Sequence, residues 1–381
     1  MCNFVINFVS NSIVNLKKKI AFIEMETHSA LLEQWYLLVA EMPRVNFHFF
    51  VSQKVFDKLS AIPRQYLTII NSVSKTDFSN YDGVVVNTIH RNYDDYKTLF
   101  EKKSVLCLIH NLNFSLFFKK ISWLNIFKEK EKGAYFLKLY CKEKVASKRK
   151  VIVKASKLGV IASSVLKNIE KQSVFLDKIE LIQMNYCNQF EIPKEDVIQI
   201  VMPGNVSNKR KDVDMVFSVI QKLKPQTKLH FIFLGKPENK MVLKQLESLK
   251  KNSDDNISIT HYHQFIPWEE YSQVISKAHL LLCPIKEATS FYWVDEIYGE
   301  TKVSGAEADC IYNGKIGVFP ESYPKMDWIN LLYKSESELL ELLQNLTLDK
   351  LHLAYHELEK IVIRYKKEHV VQDLEGILLN L

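Results

Sequence analysis

Short apolar runs bounded by polar turns recur along the whole chain and alternate with longer stretches of helical periodicity. This alternation predicts parallel sheets covered by helices on both faces. The first series begins with Lys19–Glu24 (KIAFIE) and continues through Val45–Val51, Tyr66–Ile70, Gly83–Asn87, Ser104–His110, Leu158–Ala162 and Ile182–Met184, with helices such as Ser29–Ala40 and Asn92–Glu101 between. The second series reads as strands at Ile198–Met202, Lys228–Leu234, Ile257–His261, His279–Pro284 and Lys315–Phe319. Its helices fall at Asp212–Leu223, Lys240–Lys250, Trp268–Ser276 and Val303–Asn313, Ile285–Thr301 is read as a loop, and three further helices close the chain. The charged, proline-bearing segment Ile192–Val197 reads as a linker.

The expected organisation is an N-terminal α/β domain over 1–192, a second over 193–362, and a final helix within 363–381 packing back on the first. A length of 381 residues fits two such domains. With 47% hydrophobic and 25% charged residues, disordered and collagen-like chains are excluded. No apolar run is long enough to predict a spanning helix, and Met1–Val14 reads as a strand or a disordered lead-in rather than a secretory signal. The cysteines Cys2, Cys107, Cys141, Cys187, Cys283 and Cys310 are scattered without a C-x-x-C pair, which predicts no disulfide framework and a reducing cytoplasm.

Charge is uneven. The segment Lys119–Lys150 holds 11 Lys and Arg against 3 Glu, a local +8 that leaves −1 for the rest of the +7 chain. Trp123, Phe127, Tyr135, Phe136 and Tyr140 are interleaved with these charges. Such a segment suits an anionic membrane surface or a phosphate-rich acceptor, and its simplest alternative is a solvated helical face. Nothing like a nucleic-acid-binding module accompanies it, so nucleic acid is not an expected partner.

Glycine is scarce. Of ten in the chain, four (Gly299, Gly305, Gly314, Gly317) fall within Tyr298–Val318, which marks backbone that turns tightly or approaches a ligand. Ser304 and Gly305 open a helix there, and unpaired amides at a helix start favour a diphosphate. Lys302 adds a point charge just before them. Glu307 stands three residues after Ser304, the spacing of a capping box. Asp309 has no such task and suits the two hydroxyls of a ribose. A second cluster, Pro203–Asp214 (PGNVSNKRKDVD), places a Gly204-Asn205 turn at the end of a strand. Lys209, Arg210 and Lys211 follow, positioned to clamp a phosphate and stabilise a leaving group.

Together these pieces resemble the donor domain of GT-B glycosyltransferases of the family 4, or "group 1", kind. The matching run starts with Gly204, Asn205 and Lys209–Lys211 and continues through Phe231–Gly235 (FIFLG), Phe265–Pro267, Trp268–Ala278 and Leu280–Pro284. It ends with the Ser304–Phe319 helix and strand. The resemblance implies two Rossmann-like, doubly wound parallel-sheet domains facing across a cleft. A nucleoside-diphosphate sugar would sit on the C-terminal half, with no cofactor and no metal, and the acceptor on the N-terminal half. The family has two glutamates separated by seven residues, the second followed five residues later by glycine. Counting back from Gly314, the second position is Asp309 and the first is Thr301, so the first glutamate is missing.

In the N-terminal half, His110 closes a strand where such enzymes often place a histidine facing the donor sugar. His28, after the first strand, is the other candidate, with Glu26 beside it to orient a histidine or act as base. His90 is a weaker candidate, and His261 and His263 lack a third metal ligand at useful spacing.

The expected protein is therefore a cytoplasmic, membrane-peripheral glycosyltransferase, taking a glycan or lipid-linked acceptor in surface polysaccharide synthesis. The alternatives are a sugar-nucleotide 2-epimerase of the same fold, or a non-catalytic scaffold.

Overall fold

A computed structural model describes residues 17–116, 141, 144–170, 176–264, 266–291, 294–324 and 327–381. The lead-in Met1–Val14 and most of the basic segment Lys119–Lys150 lie outside the described residues.

The N-terminal sheet has seven strands: β1 (Lys18–Glu24), β2 (Val45–Val51), β3 (Leu67–Ile69), β4 (Gly83–Thr88), β5 (Ser104–Leu108), β6 (Lys157–Val160) and β7 (Ile179–Leu181). Their order is β3-β2-β1-β4-β5-β6-β7 and every pairing is parallel. Helices cover both faces, so the central strands are buried on each side and read as continuous apolar runs. Along β1, Ile20 and Phe22 point into one core with Trp35 and Phe49. Ala21 and Ile23 point into the other with Val84, Val86 and Tyr93.

The C-terminal sheet has six strands: β8 (Ile198–Pro203), β9 (Leu229–Leu234), β10 (Ile257–His261), β11 (Leu280–Leu282), β14 (Ile316–Pro320) and β15 (Asn330–Tyr333). They run β10-β9-β8-β11-β14-β15, again all parallel. Between β11 and β14 a separate antiparallel hairpin is formed by β12 (Ala288–Phe291) and β13 (Val294–Ile297).

Three details differ from the sequence reading. The last strand of the first sheet is Ile179–Leu181; the Ile182 amide still donates to the Val160 carbonyl (2.8 Å), and Ile182 and Met184 are buried in the core beside Trp35. The stretch read as a loop over Ile285–Thr301 contains the β12–β13 hairpin. Strand β15 adds an edge to the second sheet that the sequence reading lacks, and only Tyr333 of its four residues is buried.

The closing helix Lys367–Leu379 lies on the N-terminal half. Val370, Leu374 and Leu378 share a core with Ile20, Phe22 and Trp35. Arg44 donates to Glu375 Oε2 from Nε (3.0 Å) and Nη2 (2.8 Å), and the Arg44 amide donates to Oε1 (2.8 Å). Because Glu375 is nearly buried, Glu375→Ala is expected to lower stability by about 1–3 kcal/mol. The check is a lower urea midpoint with an unchanged m-value. Among the described residues, no helix is long and apolar enough to cross a membrane.

Candidate functional site

Each sheet has one point where the strand order reverses. In the N-terminal sheet the chain winds outward from β1 to β3 and then returns with β4 on the other side of β1. In the C-terminal sheet the same reversal occurs between β8 and β11. Loops leaving the two strands at such a point diverge and open a crevice at their carboxyl ends, where open α/β sheets bind ligands. The loops concerned are Met25–His28 and Ile89–Asn92 in one half, and Gly204–Lys211 and Cys283–Ile285 in the other.

In the donor-side crevice, Gly204 turns with φ +74°, a left-handed conformation that favours glycine. A Cβ on Gly235, at the end of β9, would lie 2.4 Å from the Gly204 carbonyl, so this glycine lets the two loops touch. The Lys211 ammonium donates to the carbonyls of Pro203 (2.5 Å) and Asn205 (3.0 Å) and braces the turn from beneath. The loop is tied to the next crevice wall by the Asp212 amide on Pro284 O (2.7 Å) and the Lys286 amide on Arg210 O (3.0 Å). The three basic residues therefore separate. Lys209 is exposed and paired with Glu238 (3.0 Å), Lys211 is spent on backbone carbonyls, and exposed Arg210 forms no salt bridge among the described residues.

The helix Gly305–Tyr312 begins as its sequence suggests. Ser304 is the N-cap and its Oγ accepts from the Ala306 amide (3.3 Å). The first turn is open, since a Cβ on Gly305 would meet no heavy atom within 4 Å. Glu307 does not complete a capping box. Its carboxylate turns inward to accept from the Tyr323 hydroxyl (2.8 Å), and burial raises its pKa. Asp309 accepts from the Tyr271 hydroxyl (3.4 Å), and burial pushes its pKa up to about 6 against the pull of Tyr271 and the Lys211 charge.

The acceptor-side crevice is organised by a residue the sequence reading passed over. Glu24, fully buried at the end of β1, accepts from the amides of Glu26 (2.6 Å) and Thr27 (3.2 Å) and from Asn87 Nδ2 (2.7 Å). This fixes the loop that carries His28. The His28 ring stacks on His110 at 4.4 Å, and His90 stands edge-on to His28 at 5.8 Å. His110 Nε2 lies 2.7 Å from the Asn87 carbonyl, an acceptor only, so that nitrogen carries the proton and Nδ1 keeps its lone pair. Burial lowers the pKa of all three, His110 to about 3, and each is lowered further by the Lys302 charge. Glu26 is not stacked into this group; its Oε2 is held by Arg91 Nε and Nη2, each at 2.7 Å.

Lys302 joins the halves. It lies near enough to depress three histidines of the N-terminal half, and its own pKa is lowered to about 8 by burial and then by Arg210. Neither cation has a salt bridge among the described residues. Glu296 supports the Lys302 charge from beyond salt-bridge distance, and two like charges held together in this way suit an anion.

The β12–β13 hairpin fastens this geometry. Phe291 and Val294 pack into the N-terminal core, and the Phe291 ring lies 4.6 Å from that of His90. Buried Glu296 accepts from the amides of Asn113 (3.3 Å) and Phe114 (2.8 Å). Thr301, at the position of the missing glutamate, is buried; its hydroxyl accepts from the Ile297 amide (2.8 Å) and its carbonyl from the Leu112 amide (2.8 Å). Glu296→Ala is expected to cost about 1–3 kcal/mol by stranding two buried amides. Faster limited proteolysis between the halves would register it. His261 and His263 stand edge to face at 5.1 Å, and among the described residues no group of three His, Cys, Asp or Glu is arranged to hold a metal.

Two doubly wound parallel sheets whose switch points meet across Lys302 define the GT-B fold. No family model matches the sequence, and no curated protein sequence matches it. Solved structures do match. HepE of Anabaena, in complex with UDP and glucose, superposes with a TM-score of 0.59 at 11% identity, covering 96% of this chain and 100% of that one. A glycosyltransferase from Rickettsia africae gives 0.57 at 12% identity over 95% of this chain and 98% of its own. The lipopolysaccharide outer core galactosyltransferase WaaB, in its apo form, gives 0.56 at 12% over 95% and 100%. The chain thus shares its fold over nearly its whole length with GT-B glycosyltransferases.

Proposed function

We propose that the protein is a glycosyltransferase that moves a sugar from a nucleoside-diphosphate sugar to a hydroxyl of a glycan or lipid-linked saccharide. The observation that carries this reading is the pair Lys302 and Arg210, neighbouring cations that form no salt bridge among the described residues, with Lys302 close to the neutral histidines of the other half. Asp309 accepts the ribose hydroxyls, and the diphosphate lies against Lys302 and the Ser304–Gly305 amides. Arg210 takes the charge that develops on the departing phosphate. Lys211 holds the Gly204-Asn205 turn in place, and Lys209 stays at the rim with Glu238.

His110 is too weak a base at a pKa of about 3 to take a proton from an acceptor hydroxyl near neutrality. Its role is to receive a hydrogen bond at Nδ1 from a hydroxyl of the donor sugar, with His28 stacked against it. The basic segment Lys119–Lys150 supplies a patch for an anionic leaflet, argued from sequence charge alone. A nucleoside diphosphate panel in thermal-shift measurements tests the donor site, beginning with UDP. Saturating ligand adds about 2.7 kcal/mol at a hundred times Kd, so a true ligand raises Tm visibly. No shift with any nucleoside diphosphate would remove the reading. Thr301, buried where a sugar-binding glutamate is absent, favours a second reading as a non-catalytic scaffold. That reading gains if UDP binds and no nucleotide sugar turns over.

A further inference from the structure

We propose that the cavity at the carboxyl ends of β1, β3 and β4 binds a neutral sugar ring of the acceptor, and not a phosphate. The inference rests on the transferase reading and names the chemistry of its second substrate. The cavity has a volume of about 420 Å³, within the usual range for small-ligand sites. Its walls include Met25, Glu26, Asn71, Arg91, Asn92 and Asp95.

The charge on those walls decides between the two ligand classes. Arg91 brings one positive charge, and it is matched by Glu26. Asp95 brings a second carboxylate. Burial works against its ionisation, but bonds from the Ser72 and Ser74 hydroxyls and the Val73 and Ser74 amides outweigh this and hold its pKa below the usual range. Two carboxylates against one guanidinium leave the cavity net negative, so a phosphate entering it would be repelled. A hydroxyl-rich ring meets complementary groups. Both contacts to Arg91 fall on Glu26 Oε2, which leaves Oε1 to accept from a hydroxyl. The amides of Asn71 and Asn92 donate and accept, and Met25 offers an apolar surface to the ring's C–H face.

The donor crevice has the opposite sign, since Lys302, Arg210 and Lys211 outnumber the carboxyls of Asp309 and Glu296 there. The two crevices therefore sort their ligands by charge, phosphates to one and bare sugar to the other. Arg91 follows His90 directly and Glu26 is two residues from His28, so a ring in this cavity adjoins the histidine group beside Lys302.

Saturation-transfer NMR on the full chain tests this with methyl α-D-glucopyranoside and methyl β-D-galactopyranoside, each with and without UDP, and with inorganic pyrophosphate as competitor. Transfer to the ring protons of at least one glycoside is expected, undiminished by pyrophosphate. Asn71→Leu, at an exposed position, is expected to weaken the glycoside about tenfold while its melting temperature stays at the wild-type value. No transfer to either glycoside, transfer unchanged by Asn71→Leu, or displacement by pyrophosphate would each overturn the proposal. UDP affinity is titrated separately. A chain that takes the glycoside but not UDP keeps this site and loses the transferase reading, and the converse result does the reverse.

Discussion

A chain carrying Asp309→Asn is expected to bind UDP about 10–100-fold more weakly than the wild type and to melt no lower at neutral pH. The loss of affinity follows from removing the charged acceptor for two ribose hydroxyls, since hydrogen bonds to a charged group contribute about 1.5–3 kcal/mol. The retained stability follows from the carboxyl's environment. Its pKa in the folded chain is raised to about 6 from the ordinary 3.8, chiefly by burial. A folded state that holds the proton more tightly than the unfolded one is favoured at low pH, and that advantage fades as pH rises towards 6. At neutral pH the ionised carboxylate therefore costs stability, by at most about 3 kcal/mol before screening by water is discounted. Asparagine keeps the shape and removes that cost. Calorimetry with UDP and melts at about pH 4 and pH 7 read the two halves of the expectation. Equal UDP affinity would take Asp309 out of the nucleotide site, and a lower neutral-pH Tm would make it a structural residue.

The helix that carries Asp309 was legible in the sequence because its signals are local. Ser304 caps a helix by accepting from the Ala306 amide, Gly314 ends that helix, and FIFLG ends a buried strand at a glycine that lets a second loop approach. The two sheets were legible for the same reason, because a strand buried on both faces shows itself as an uninterrupted apolar run. The parts that stayed hidden depend on contacts between distant segments. Glu24 and Glu296 look like surface charges at strand ends, yet each is buried and satisfied by backbone amides, one set local and the other 182 residues away. The β12–β13 hairpin places Phe291 and Val294 against the other half's core, which no pattern within Ala288–Ile297 announces. His90 looked idle until Phe291 and His110 closed around it. Glu307 had capping-box spacing, but Tyr323 offered its carboxylate a buried partner instead.

The affinity for UDP-glucose is expected to follow a bell in pH, with its plateau between about 6 and 8. This ligand is the suitable titrant because both phosphates are esterified, so its diphosphate charge stays constant across the range. On the acid side the group that changes is Asp309, raised to about 6, which accepts ribose hydroxyls best when ionised. On the alkaline side it is Lys302, lowered to about 8, whose positive charge the diphosphate needs. Lys211, also at about 8, sharpens that limb through the turn it braces. Burial holds His110 near 3, outside this range, and keeps His28 and His90 below their ordinary value. Each limb should approach a tenfold loss per pH unit for one proton. Lys302→Met should flatten the alkaline limb to whatever Lys211 contributes and cost at least about tenfold at the plateau, because one charge-assisted contact is gone. Asp309→Asn should remove the acid limb alone. A flat profile from about pH 5 to 9, with both variants binding like the wild type, would show that the diphosphate lies elsewhere than against Lys302.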